Sequence, residues 1–159
     1  MKIRHACRFE IEKATLDRRR PWLASVSRRL LGLADDPNSR VVVVEEAGQI
    51  RAALGLRMRW SGTDRVPEAW IVVLVVDPDH ADRGIGSRLI RFAEGIARIR
   101  GVRRVDVAPA LEKWSDGRCW PLLGYACPES GLSKELESPG GWVCESRASV
   151  SAVSAEKEG

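Results

Sequence analysis

The sequence predicts an α/β domain with a mixed central β-sheet flanked by helices, and three observations carry this. Ala69 to Val76 (AWIVVLVV) is a short, β-branched apolar run stopped by Asp77-Pro78, the pattern of a strand buried on both faces. Gly84 then opens an amphipathic segment that reaches about Arg100, with Gly101 as its stop. Val102 to Val107 (VRRVDV) reads as a strand after that helix, and two strands joined through a helix lie parallel.

The remaining elements follow in chain order. Residues 2 to 5 (KIRH) fit a short first strand. Trp22, Val26, Leu30 and Leu33 recur at near-helical spacing, Pro21 suits a first helical turn, and Asp35-Asp36-Pro37-Asn38 is the stop. Arg18-Arg19-Arg20 reads as a solvated face. Arg40 to Glu45, the turn Ala47-Gly48 and Gln49 to Arg59 form a hairpin. Alternation at Ile50, Ala52, Leu54, Leu56 and Met58 predicts that this hairpin is covered on one face. Trp60 to Pro67 is a loop by composition. In the long helix, Ile85, Leu89, Ala93, Ile96 and Ala97 form the buried stripe, while Arg88, Arg91, Glu94 and Arg98 face outward, with Glu94 and Arg98 as an i,i+4 pair. Ser115 is placed to cap a short helix carrying Trp120, Leu122 and Leu123, disturbed by Pro121 and ended by Gly124. Gly131 to Leu136 supplies the last strand. The domain is expected over residues 1–137, and 138–159, small, polar and Ser-rich, as a largely flexible tail.

Composition narrows the function classes. A chain of 159 residues with 44% hydrophobic content suits one domain with one core. Its 26 basic residues, 21 of them Arg, exceed the 22 acidic ones by little and are interleaved with them. Mild anion attraction follows, and a nucleic-acid footprint does not. Cys7, Cys119, Cys127 and Cys144 form no CxxC pair and the histidines are His5 and His80 alone, so no metal site is expected. The first residues lack an apolar signal core, and no run approaches the roughly 20 residues of a membrane span. A cytoplasmic protein with reduced thiols and no membrane partner is the expectation.

Between the buried strand and the long helix stands VDPDHADRGIGSRL, Val76 to Leu89. A strand feeding a glycine turn into a helix leaves backbone N–H groups unpartnered at the positive end of the helix dipole, a ready anion site. Gly84 and Gly86 permit close approach and positive φ. A dinucleotide GxGxxG would need glycine at Leu89, and a P-loop would need a GK[ST] ending; both fail. The stretch resembles the acetyl-CoA signature of the GCN5-related N-acetyltransferases (GNAT): V-x-P at Val76 to Pro78, then [RQ]-x-x-G-x-[GA] over Ala81 to Gly86, opening a helix. The order of elements from residue 2 to about 136 is also that family's, with Gly124-Tyr125 where it usually has Gly-Phe.

The resemblance implies a sheet whose two parallel central strands splay into a V holding the thioester of acetyl-CoA. Backbone at Leu74, Val75 and Val76 would pair with the pantetheine arm, and Asp82, Arg83, Gly84, Ile85, Gly86 and Ser87 would hold the pyrophosphate, with Arg83 and Arg88 adding charge. The acceptor, a small-molecule or peptide amine, would enter between the early helices and the loop at 60–67. Two positions depart from the family. Ala81 stands where Arg or Gln is usual, which removes one side-chain contact to the cofactor. Trp120 stands at the frequent general-acid tyrosine, and its indole N–H is too weak an acid for a thiolate.

Aminolysis of a thioester needs a neutral amine and donors for the developing oxyanion, here a backbone N–H near Val75 or Val76. The family's strand glutamate falls at Trp70; Glu68, two residues earlier on the same strand face, is the candidate base, and equally fits a solvated rim carboxylate. Asp64 is next. His80 reads as a surface turn histidine, and Tyr125, Cys119 and Trp22 as packing residues. Trp22, Trp60 and Trp70 could also line an acceptor pocket. The sequence thus predicts an acyl-CoA-dependent N-acyltransferase moving an acetyl group to a primary amine by direct attack. The alternatives are a catalytically weak or inactive CoA-binding regulatory module, or an acetyltransferase-like peptide-binding partner using the Ser-rich tail. The acceptor and a homodimer are left open.

Overall fold

The computed structural model of the chain describes residues 1–60, 66–81, 83–112, 119–127 and 131–136. Six strands form one sheet in sequence order: β1 (Lys2–His5), β2 (Ser39–Glu46), β3 (Gln49–Trp60), β4 (Pro67–Val76), β5 (Arg104–Val107) and β6 (Ser133–Glu135). All neighbours run antiparallel except β4 and β5, which are parallel as the intervening helix requires. Between β1 and β2 lie α1 (Arg8–Thr15), α2 (Pro21–Ala24) and α3 (Ser27–Asp35); α4 (Ile85–Ile99) joins β4 to β5, and α5 (Cys119–Leu122) precedes β6. The predicted tail, 138–159, and the predicted cap Ser115 lie outside the described residues.

The sheet carries helices on both faces. On one side Leu89, Ile90, Ala93 and Ala97 of α4 pack on Val42, Val44, Leu54, Leu56, Ile71 and Leu74. On the other, Ile11, Leu23, Leu30 and Leu33 of α1 to α3 pack on Val41, Val43, Ala53 and Val73. This explains the unbroken Val41 to Val44: with both faces covered, all four valines are buried. It also corrects the single-face expectation for the hairpin. Ala52, Ala53, Leu54, Gly55 and Leu56 are all buried, and Ile50 and Ala52 belong to opposite faces because the β2–β3 register slips between Val44 and Glu45. A sequence covered on both sides has no polar alternation to read.

The outward placement of Glu94 is likewise corrected. Glu94 is 2% exposed, because with Ile90, Ala93 and Ala97 it completes the i, i+3, i+4, i+7 stripe. Its carboxylate accepts the Tyr125 hydroxyl at 2.8 Å and the Lys134 ammonium at 3.0 Å, with Arg98 at 3.8 Å. A buried carboxylate is tolerated where it is paired and hydrogen-bonded. This cluster ties α4 to β6 and to the segment after α5. Burial, then the Glu94 charge and hydrogen bond, push the Tyr125 phenol above its ordinary range, so it stays a donor.

Candidate functional site

The site grows from the end of β4. The β4–β5 ladder covers three pairs, Ala69–Val105, Trp70–Asp106 and Ile71–Val107, and closes with the Ala108 N–H donating to the Ile71 carbonyl at 2.9 Å. Pro109 follows, has no N–H to continue the ladder, and starts a 3₁₀ turn, Pro109–Leu111, that leads the chain away. Among the described residues, Val73 to Val76 therefore pair with β3 alone. The two parallel strands part here, as the family resemblance implies.

An extra residue sits at the fork. Gly55 opposes Val73 and Leu56 opposes Ile71, so Val72 is a β-bulge in β4. Ile71 and Leu74 enter the core under α4, whereas Val72 and Val73 both lie on the α1 to α3 side. Beyond the bulge, the Asp77 N–H donates to the Arg51 carbonyl on β3 at 2.7 Å. By strand alternation, Val73 and Val75 turn their peptide groups to β3, and Leu74 and Val76 turn theirs to the open edge.

Asp77 fastens the strand end. Buried to 7% exposure, it accepts the Asp79 N–H at 3.0 Å and the Arg51 guanidinium at 3.2 Å, and caps a 3₁₀ turn, Pro78–His80. His80 is half-buried rather than a surface histidine, with Nδ1 3.5 Å from Asp77. The turn delivers Gly84 to the N-cap of α4 with φ +72°, a left-handed conformation that glycine adopts at little cost. The Gly84 carbonyl accepts the first helical bond, from the Arg88 N–H at 3.1 Å. The N–H groups of Ile85, Gly86 and Ser87 thus precede any intrahelical acceptor. Gly84 supplies no side-chain cap and the first turn of α4 holds no acidic residue, so the helix itself carries nothing that offsets its positive end. Arg83 and Arg88 are exposed beside it; Asp82 lies outside the described residues.

On the α1 to α3 face, Glu68, Trp70 and Val72 follow one another along β4, with Glu68 opposite Arg59 and Trp70 opposite Arg57 on β3. The Arg59 guanidinium stacks over the Trp70 ring, 5.5 Å from its centre. Glu68 is half-buried and stands four residues before the bulge, roughly 13 Å along a strand. Trp22 is half-buried against the core and Trp60 is exposed; Asp64 lies outside the described residues. Trp120 is fully buried, its indole N–H donating to the Leu111 carbonyl at 2.9 Å, and Tyr125 stacks edge-on against it. Both side chains at the short helix are core posts.

A cavity of about 390 Å³ over the bulge, which the sequence pattern does not announce, is lined by Arg28, Arg29, Gly32 and Leu33 of α3, Arg57 of β3, and Val72 and Val73. Its signal was present only in part: Arg28, Arg29 and Gly32 are spaced to share one side of a helix.

A mixed sheet that opens at its one parallel pair, above an uncapped helix end reached through a left-handed glycine, defines the frame of an N-acetyltransferase. A model of the acetyltransferase (GNAT) family matches residues 6–116, and the chain belongs to that family. No curated protein matches the sequence. Solved structures similar to it include a ribosomal-protein-alanine N-acetyltransferase from Brucella melitensis biovar Abortus 2308, 17% identical, covering 79% of this chain and 93% of that one with a TM-score of 0.63. An aminoglycoside acetyltransferase from an uncultured soil metagenomic sample, in complex with sisomicin, is 21% identical over 72% of this chain and 81% of its own, TM-score 0.57. A transcriptional regulator from Bacillus halodurans C-125 is 22% identical over 82% and 96%, TM-score 0.62. At these identities the likeness is one of fold.

Proposed function

We propose that this acetyltransferase moves an acetyl group from acetyl-CoA to a primary amine by direct attack. The observation that carries the reading is the open edge of β4 from Val72 to Val76, continuous with the uncapped N-terminus of α4. When bound, acetyl-CoA supplies the activated acyl group. The Leu74 and Val76 peptide groups are placed to pair with its amide arm as an added strand would. The N–H groups of Ile85, Gly86 and Ser87, with the Arg83 and Arg88 guanidiniums, are suited to its pyrophosphate. The donor set fits an anion held mainly by backbone, so the loss of a long side chain at Ala81 weakens the hold without removing it. A backbone N–H on the open edge of β4, at Leu74 or Val76, is the proposed donor for charge developing on the carbonyl oxygen; Val75, the other sequence candidate, turns its N–H to β3.

Glu68 is the proposed base. At roughly 13 Å from the bulge it acts through intervening water, taking the proton from the acceptor ammonium and releasing it to solvent. Thiol release from acetyl-CoA, followed against an amine library for the wild type and Glu68→Gln, tests both statements. A slowed transfer with a shifted pH profile is expected for the variant; an unaltered rate removes Glu68 from the mechanism.

One observation favours the alternative of a weak or inactive CoA-binding regulatory module. The Trp120 N–H is spent on Leu111 and the Tyr125 hydroxyl on Glu94, so neither is free to protonate a thiolate. A protein that binds acetyl-CoA and frees no CoA with any amine would belong to that class.

A further inference from the structure

We infer that the acceptor amine carries an anionic group, a carboxylate or a phosphate, bound by Arg28, Arg29 and Arg57 in the cavity over the bulge. The inference rests on the transferase reading above and adds the chemical class of its second substrate. The cavity touches Val72 and Val73, the residues at which β4 parts from β5, so an acceptor lying in it reaches the fork from the α3 face.

Three features make the place fit an anion. Arg28 and Arg29 on α3 and Arg57 on β3 line the cavity, all three exposed and none in an ion pair among the described residues. The Arg57 charge is felt by Asp36, whose acidity is strengthened first by the Ser39 hydroxyl and the Asn38 N–H and only then by the Arg57 and Arg40 charges. Guanidiniums match carboxylate and phosphate in a planar, two-pronged way. Gly32 supplies the room: no heavy atom lies within 4 Å of where its Cβ would stand, one helical turn from Arg28. Gly55 supplies the proximity, because only a residue without Cβ lets Leu33 of α3 seat against β3 beside Val73.

The same charges help the chemistry. Positive charge near an arriving ammonium disfavours its protonated form and so raises the share of nucleophilic amine. They also select. A polycationic amine meets repulsion in this cavity, whereas an amino acid or an aminoalkyl phosphate satisfies it and leaves its amine turned toward the fork.

The test compares matched amines with acetyl-CoA at fixed concentration: amino acids against their amides, aminoalkyl phosphates against the parent amino alcohols, and an aminoglycoside. Thiol release gives kcat/KM, and calorimetry with the amines alone gives binding without turnover. Anionic members are expected to exceed their uncharged partners by tenfold or more, with the better of the two anionic series naming carboxylate or phosphate. In Arg28→Gln and Arg57→Gln that preference should collapse toward one through KM. Gly32→Leu, which adds a side chain in open space, should raise KM for anionic acceptors with a melting temperature that is unchanged or higher. Equal kcat/KM across each pair, or an aminoglycoside as the best acceptor, overturns the inference while leaving the transferase intact. Binding of an anionic amine without any thiol release keeps the site and removes the transferase reading. No calorimetric binding of either anionic series overturns the site.

Discussion

Gly55→Ala is a direct probe of how α3 reaches the sheet. A Cβ at this position would overlap Leu33 Cδ1 and stand 3.2 Å from Val73 Cβ. Leu33 is 3% exposed and Val73 2%, both packed in the core beneath the early helices, so relieving the overlap requires one of them to repack. Overpacking of this kind costs about 1–3 kcal/mol. Ala is favoured over Gly in a strand by about 0.5–1 kcal/mol, which offsets part of that cost. The net expectation is a loss of about 1–2 kcal/mol, or about 3–6 °C in melting temperature for a domain of this size. The assay is a double-mutant cycle with Leu33→Ala, followed by thermal and urea unfolding. Leu33→Ala alone leaves a cavity and costs about 2–5 kcal/mol, but it removes the atom that a Cβ at 55 would strike. Adding Gly55→Ala in that background should be neutral or stabilising, a coupling of about 1–2 kcal/mol. An equal loss in both backgrounds, or no loss in either, would refute the close-approach account.

Three further outcomes are expected. Tyr125→Phe removes a hydrogen bond to a buried carboxylate and should cost about 1.5–3 kcal/mol in urea unfolding, while Lys134→Met leaves Glu94 without its closest counter-charge and should cost more, about 3 kcal/mol or above. The Arg4 guanidinium and the Cys7 N–H hold Glu10 down to about 2 from 4.5, so its contribution is complete above pH 4.5 and fades as pH falls through about 2; the stability gap between wild type and Glu10→Gln, roughly 1 kcal/mol for so exposed a pair, should close over that window in an acid titration.

What the sequence disclosed depended on how local the constraint is. The turn at Gly84 is legible because a left-handed residue between a strand and a helix calls for glycine, a requirement met within the turn itself. The order of strands and the parallel pair follow from a helix of 15 residues lying between two apolar runs. Glu94 reads as exposed because charge is the strongest local cue for exposure, and the partners that make its burial tolerable lie 31 and 40 residues away. The arginine cavity was missed for the same reason: Arg57 meets Arg28 and Arg29 only once β3 and α3 are packed together.

The bulge at Val72 is the least legible feature and the one on which the proposed chemistry turns. In WIVVLVV every residue is apolar and both faces of the strand are covered, so an inserted residue leaves no trace in polarity. Yet the insertion reassigns every side chain after it: Val73 and Val75 go to the α1 to α3 side, Leu74 and Val76 to the α4 side. It falls one residue beyond Ile71, the last residue of β4 in register with β5. A bulge also increases local twist. The change of face and the parting of the strands therefore belong to one backbone event, and a cavity that opens onto Val72 and Val73 opens where the proposed cofactor edge begins. That coincidence gives the arginines of α3 and β3 a role beyond surface charge.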